Sequence, residues 1–124
     1  MGQFKVKKTS NDGYAFTLVA NNHEVIGVSQ TYKSMTSLKN GIESVRKNAD
    51  AEIEDQTLQK FEEKKCPKWE IFTDKAGDFR FRLKASNGEI ILAASEGYGA
   101  KSSAKNGIDS VRRNKDSEIV EEEE

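Results

Sequence analysis

The stretch NGIESVRKNADAEIED, residues 40–55, returns as NGIDSVRRNKDSEIVE, residues 106–121. A chain of 124 residues that states one segment twice must fold as two copies of one unit. The match runs well beyond the quoted segment. Phe4 aligns with Trp69, Val6 with Ile71, Phe16 with Phe81, Leu18 with Leu83, Asn22 with Asn87, Glu24 with Glu89 and Ile26 with Ile91, all at an offset of 65. From Ser29 and Ser95, through Tyr32 and Tyr98, to Ile53 and Ile119, the offset is 66. One residue is thus inserted within 91–94 relative to 26–28, which predicts a β-bulge in the second copy alone. The expected organisation is one domain of two repeats, 1–55 and 69–121, with a polar connector 56–68 and an acidic tail 121–124.

Each repeat parses in the same way. Phe4-Lys5-Val6 and Trp69-Glu70-Ile71 alternate apolar and polar residues, as a half-buried strand does. Asp12-Gly13 then marks a tight turn, and Tyr14-Ala15-Phe16-Thr17-Leu18 alternates again, matched by Phe79-Arg80-Phe81-Arg82-Leu83. Asn87-Gly88 is a strong hairpin signal. Asn21-Asn22-His23 must do the same work in the first copy, with asparagine tolerating the left-handed region. Third strands follow over 24–29 and 89–95.

The period then changes. Leu38, Ile42 and Val45, like Ala104, Ile108 and Val111, recur at i, i+4 and i+7, the stripe of an amphipathic helix. Thr36 or Ser37, and Ser102 or Ser103, suit the N-cap, and Asn48 or Asn114 suits a left-handed end. Gly41 and Gly107 inside the helix imply a backbone packed closely against that turn. Short strands around Ile53 and Ile119 close each unit.

A meander of three strands with one helix is marginal alone, because it leaves a sheet face and a helix stripe uncovered. Two such units sharing one core, and exchanging their last strands, cover both. The residues are predicted to fold as α+β: two β-β-β-α-β repeats in one antiparallel sheet, both helices on one face, C-terminal strands exchanged.

The pattern of an aromatic strand start, Asn87-Gly88-Glu89, Ser95-Glu96-Gly97-Tyr98 and Asn106-Gly107-Ile108-Asp109-Ser110-Val111-Arg112 resembles the uncharacterised YegP-like family of tandem-repeat proteins. The first repeat departs from it at His23 and Gly27. The resemblance implies the same exchanged-strand fold, assigns no activity, and implies that single-unit members reach this fold by pairing two chains.

Catalytic signals are scarce. The one histidine, His23, falls in a turn and the one cysteine, Cys66, beside Pro67 in the connector, so neither joins a metal cluster. No phosphate-binding glycine loop or nucleophile elbow is present. Ser29 with Tyr32, and Ser95 with Tyr98, read as strand-end and ring-stacking residues with the hydroxyl at the surface. No cofactor is expected, and no enzymatic activity. A net charge of -1 gives no global pull toward nucleic acid, but Lys39, Arg46 and Lys47, with Lys105, Arg112 and Arg113, would set two basic stripes on the helices. The expectation is a small cytoplasmic interaction or accessory protein, monomeric and acting as a pseudo-dimer, with nucleic-acid binding through those stripes as the alternative. Cytoplasmic residence follows from an unpairable cysteine and an N-terminus without the apolar region of an export signal.

Overall fold

The computed structural model describes residues 2–10 and 12–121. The first unit holds β1 (Gln3–Lys8), β2 (Tyr14–Val19), β3 (Val25–Val28), α1 (Met35–Asn48) and β4 (Ile53–Asp55). The second holds β5 (Lys68–Thr73), β6 (Phe79–Lys84), β7 (Ile90–Ala94), α2 (Lys101–Asn114) and β8 (Glu118–Glu121). All eight strands form one sheet in the order β4-β5-β6-β7-β3-β2-β1-β8. Ile53 lies opposite Trp69 and Ile119 opposite Phe4, so each unit gives its last strand to the other, as the repeat demands.

The sheet departs from the all-antiparallel expectation at its two outer pairs, where β4–β5 and β8–β1 run parallel. The reason lies in the connections. A parallel pair cannot be closed by a hairpin and needs a long excursion. The connector over 56–67 provides one between β4 and β5, and β8 reaches β1 only through the whole chain. Glu121 also belongs to β8, opposite Val6, rather than to a free tail, while 122–124 lie outside the described residues.

Alternation decides which side of the sheet each strand buries. Phe4, Phe16, Leu18, Trp69, Ile71, Phe81 and Leu83 all turn inward and are almost wholly buried. Leu38, Ile42 and Val45 of α1 join them in one core with Ile108 and Val111 of α2. Substituting Ile42 or Ile108 by alanine is expected to cost about 2–5 kcal/mol in urea denaturation, and a loss under about 1 kcal/mol would contradict this burial.

Local signals were partly misplaced. The helices begin before the expected serines: Ser34 caps α1, its hydroxyl accepting from the Ser37 N–H at 3.1 Å, whereas Ala100 precedes α2 without a side-chain cap. Asn48 and Asn114 end no helix in the left-handed region. Ala49 and Lys115 continue right-handed, and the asparagine amides bond back to Ser44 Oγ (3.2 Å) and the Ser110 carbonyl (2.7 Å). In the β2–β3 hairpin it is His23, not an asparagine, that takes positive φ (68°), where its counterpart Gly88 does so freely.

The bulge expected in the second copy alone occurs in both, leaving Ile26 and Ile91 as the extra residues. The insertion itself is Ala94, which lengthens β7 past its last rung with β6 and pairs with Gly27 across the central seam. Added there, it disturbs neither meander. Val28 opposite Ala93 marks the pseudo-two-fold axis, with Gly27 and Leu92 at equivalent places beside it. Symmetry is broken at that spot because only one large side chain fits. A Cβ on Gly27 would stand 2.8 Å from Leu92 Cγ, and Leu92 is fully buried. Gly27→Ala is expected to cost about 1–3 kcal/mol by overpacking, and adding Leu92→Ala should relieve it. Purely additive losses in the double variant would refute the contact.

The outer face differs between the units. On the second it holds Glu70, together with Glu54 of the β4 strand donated by the first, both buried around Lys68, whose Nζ reaches Glu54 Oε1 at 2.8 Å and Glu70 Oε2 at 3.3 Å. Arg82 and Lys84 also contact Glu70, and the connector lies over the cluster, with the Lys64 N–H donating to Glu54 at 2.6 Å. Burial works to raise the Glu54 carboxyl, but Lys68, Gln56 and the Lys64 amide overcome it and hold it at about 2. Lys5, Thr17 and Val19 occupy the positions of Glu70, Arg82 and Lys84 in the first unit, so no such cluster forms there.

Candidate functional site: paired clefts between the repeats

The six basic residues expected to form stripes on the helices divide into two groups. Arg46 and Arg112 turn to the opposite unit. Arg46 donates from Nε to the Lys115 carbonyl (3.1 Å) and from Nη2 to that of Ser117 (2.7 Å), just past the end of α2. Arg112 donates in the same way to Ala49 (2.9 Å) and Ala51 (2.7 Å), just past the end of α1. Each arginine satisfies carbonyls left free at the other helix's C-terminus, which suits both its fork of donors and the helix dipole. These two residues hold the repeats together. Lys39, Lys47, Lys105 and Arg113 stay exposed.

A different set of repeated residues meets at two open clefts, one on each side of the pseudo-axis. The first, about 400 Å³, lies between the β2–β3 hairpin of the first unit and α2 with its preceding loop. The second, about 430 Å³, lies between the β6–β7 hairpin and α1 with its loop. Most of their lining residues occupy equivalent places in the two repeats. Ala20, Asn22, Glu24 and Ile26 face Tyr98, Ser103, Asn106, Gly107 and Ser110 in the first. Ala85, Asn87, Glu89 and Ile91 face Tyr32, Ser37, Asn40, Gly41 and Ser44 in the second. Of the shared positions only Glu96 and Gln30 differ.

Each tyrosine is fixed by its surroundings. Tyr32 stacks on Phe16 and Tyr98 on Phe81, with ring centroids 6.2 Å apart in both. Their backbones bridge to Tyr14 and Phe79. The helix glycines make room for the ring rather than for a neighbouring backbone. A Cβ on Gly41 would lie 2.6 Å from Tyr32 Cζ, and one on Gly107 2.7 Å from Phe81 Cε2 and 3.0 Å from Tyr98 Oη. The Tyr32 hydroxyl is buried rather than at the surface, and forms no well-aligned hydrogen bond among the described residues. Burial raises its pKa, the Gln30 side chain opposes that, and Glu89 adds to it. Burial raises Tyr98 likewise, with the carboxylates of Glu96 and Glu24 adding to the effect.

Some of the shared lining has a structural duty. Asn22 and Asn87 accept the N–H of Glu24 and Glu89, closing their own turns. Ser29 Oγ accepts from the Phe16 N–H at 2.9 Å and Ser95 Oγ donates to the Val25 carbonyl at 3.0 Å, so the serines do tie strand ends. Asn40 and Asn106 have no such duty. They sit exposed in mid-helix, where asparagine is a poor choice, and their amides meet no partner among the described residues. The side chains of Glu24 and Glu89 are similarly exposed. The repetition of asparagine at 40 and 106, inside helices that it disfavours, is the signal that the sequence offers.

An internally duplicated α+β domain, built as a pseudo-dimer with exchanged edge strands and twin interfacial clefts, is thus the class that the geometry defines. Within that class, the chain belongs to the family described as a domain of unknown function, DUF1508, whose model matches residues 9–55 and 74–122. It is 36% identical to the UPF0339 protein YegP of Yersinia pestis over 122 residues, 98% of this chain and 96% of that one. A UPF0339 protein of Agrobacterium fabrum, Atu5359, is 60% identical over 47 residues, which make up 74% of its length but 38% of this chain. The solution structure of the Escherichia coli protein yegP, of unknown function, superposes with a TM-score of 0.78 at 33% identity, covering 97% of this chain and 91% of that one. That of UPF0339 protein SO3888 from Shewanella oneidensis gives 0.77 at 30%, covering 97% and 90%.

Proposed function

We propose that the protein is a non-catalytic binding module of the cytoplasm, which holds a ligand or partner group in its two interfacial clefts. The observation that carries this reading is the pair Asn40 and Asn106: retained in both repeats, exposed, and unused by the fold. The linings support binding rather than catalysis, since they set amides, hydroxyls and carboxylates among apolar residues such as Ala20 and Ile26 and include neither His23 nor Cys66. No helix among the described residues is long and apolar enough to cross a membrane.

The double variant Asn40→Ala/Asn106→Ala tests the reading. Alanine favours helix over asparagine by about 0.5 kcal/mol per site, so this variant should melt slightly higher than the parent. A thermal-shift panel of polar metabolites should contain compounds that stabilise the parent and fail to stabilise the variant. A variant that loses stability would make the asparagines structural and sink the proposal.

Nucleic-acid binding through the helices is the second reading, and its exposed contacts would be Lys39, Lys47, Lys105 and Arg113. Anisotropy of short RNA and DNA at two salt concentrations separates the two, because phosphate contacts weaken steeply with salt.

A further inference from the structure

We propose that each cleft recognises a cation rich in hydrogen-bond donors, a guanidinium or an ammonium group, and that the cleft containing Glu96 binds it more tightly than the one containing Gln30. This rests on the clefts being binding sites and names what they take.

The polar groups of the first lining converge from two directions, and the only charged ones among them are carboxylates. Glu24 reaches in from the hairpin, while Tyr98, Ser103 and Asn106 come from the other unit. The glutamate side chains form no ion pair among the described residues, although free lysines are plentiful on this chain. An unpaired carboxylate beside hydroxyls and an amide oxygen matches the several N–H groups of a guanidinium or ammonium. The rise in both tyrosines, to which Glu24, Glu96 and Glu89 contribute after burial, agrees with a negative potential inside the clefts. Arg113 borders the adjoining hollow with Asn22 and Ser110, and does not line the first cleft.

The two clefts differ in one charge only. Glu96 gives the first cleft a second carboxylate where the second offers the neutral amide of Gln30. A further charge-assisted contact at a half-open site is worth about tenfold in affinity. The chemistry could be presented by a small free cation or by a basic side chain of another protein.

The test is a ¹H–¹⁵N NMR titration of the full chain with agmatine and, separately, with the capped peptide acetyl-Gly-Arg-Gly-amide. Glucose and citrate serve as neutral and anionic comparisons. Agmatine or the peptide should move the amides of Glu24, Tyr98 and Asn106 first, and those of Glu89, Tyr32 and Asn40 at about tenfold higher concentration. Glu96→Gln should bring the two responses together, and Gln30→Glu should do the same from the other side. Response to the peptide alone would assign the site to a protein partner, and an equal response to agmatine to a free cation. If glucose or citrate binds and binding is lost in Asn40→Ala/Asn106→Ala, the clefts are sites but the cation inference fails. Cation shifts confined to other carboxylates, or none up to about 10 mM, overturn it as well. If no probe depends on the two asparagines, the binding reading falls with it.

Discussion

Expressed alone, residues 1–55 will give no stable monomer; they will be molten or will assemble into a two-fold dimer resembling the full chain. The isolated unit lacks β8 beside β1, lacks β5 as the partner of β4, and leaves the β3 edge open where β7 should pair. It also loses the carbonyls that Arg46 binds and the Trp69 indole, which donates to the Ala49 carbonyl at 2.8 Å. Exposed edges and an uncovered apolar face drive self-association. The two halves should not behave alike. A dimer of the first places two Gly27 residues beside the axis, leaving the space of Leu92 empty but clash-free. A dimer of residues 66–121 brings two copies of Leu92 into one space that admits a single side chain. The second half should therefore dimerise poorly until Leu92→Gly is introduced. Size-exclusion chromatography and amide exchange report on both fragments, and a protected, concentration-independent monomer from either would refute the exchanged-strand account.

Lys68→Ala will be the most damaging single substitution on the outer face, at about 3–5 kcal/mol, because it strands two buried carboxylates side by side. Its pH response follows from the signs. In the parent, Glu54 is held at about 2 against an ordinary 4.5, and Glu70 is also lowered by Arg82, Lys84 and Lys68 against its burial. A depressed folded value contributes stability that is full above about 4.5 and is lost as pH falls toward about 2. The variant reverses this, since without Lys68 the pair favours proton uptake. Its stability should rise from pH 7 to pH 5 while the parent stays level. Urea denaturation at both values decides. A deficit under about 1 kcal/mol, or one that does not shrink on acidification, would mean that Arg82, Lys84 and the connector suffice.

Much of this architecture could be read from residue spacing, because burial in strands and helices follows a period. The alternation at Phe4, Val6, Trp69 and Ile71 and the stripe at Leu38, Ile42 and Val45 placed the core. The offset of 65 to 66 revealed the two units, and the open faces each would leave alone, with the family resemblance, pointed to the exchange of strands around Ile53 and Ile119. What escaped depended on contacts distant in sequence. The parallel sense of the outer pairs depends on how the connector travels. The crossed roles of Arg46 and Arg112 depend on where the opposite helix ends. The clefts were half legible. Most lining positions are repeated, yet nothing local says that Asn22 of one unit faces Asn106 of the other. Glycines at 41 and 107 pointed to a close approach and mistook its source, since a tyrosine ring and a passing backbone exclude a Cβ equally well.

The parallel seam between β8 and β1 has a consequence for how the chain could be rewired. Both outer seams have the same geometry, yet covalent continuity spans only the one between β4 and β5. The strand order therefore sets no requirement on which repeat comes first, although the contacts of Gln56 and Lys64 to Glu54 belong to the present connector. A circular permutant opening at Lys68, ending at Asp55, and carrying across the β8–β1 seam a linker as long as the present connector should reproduce the same sheet with its halves in reversed order.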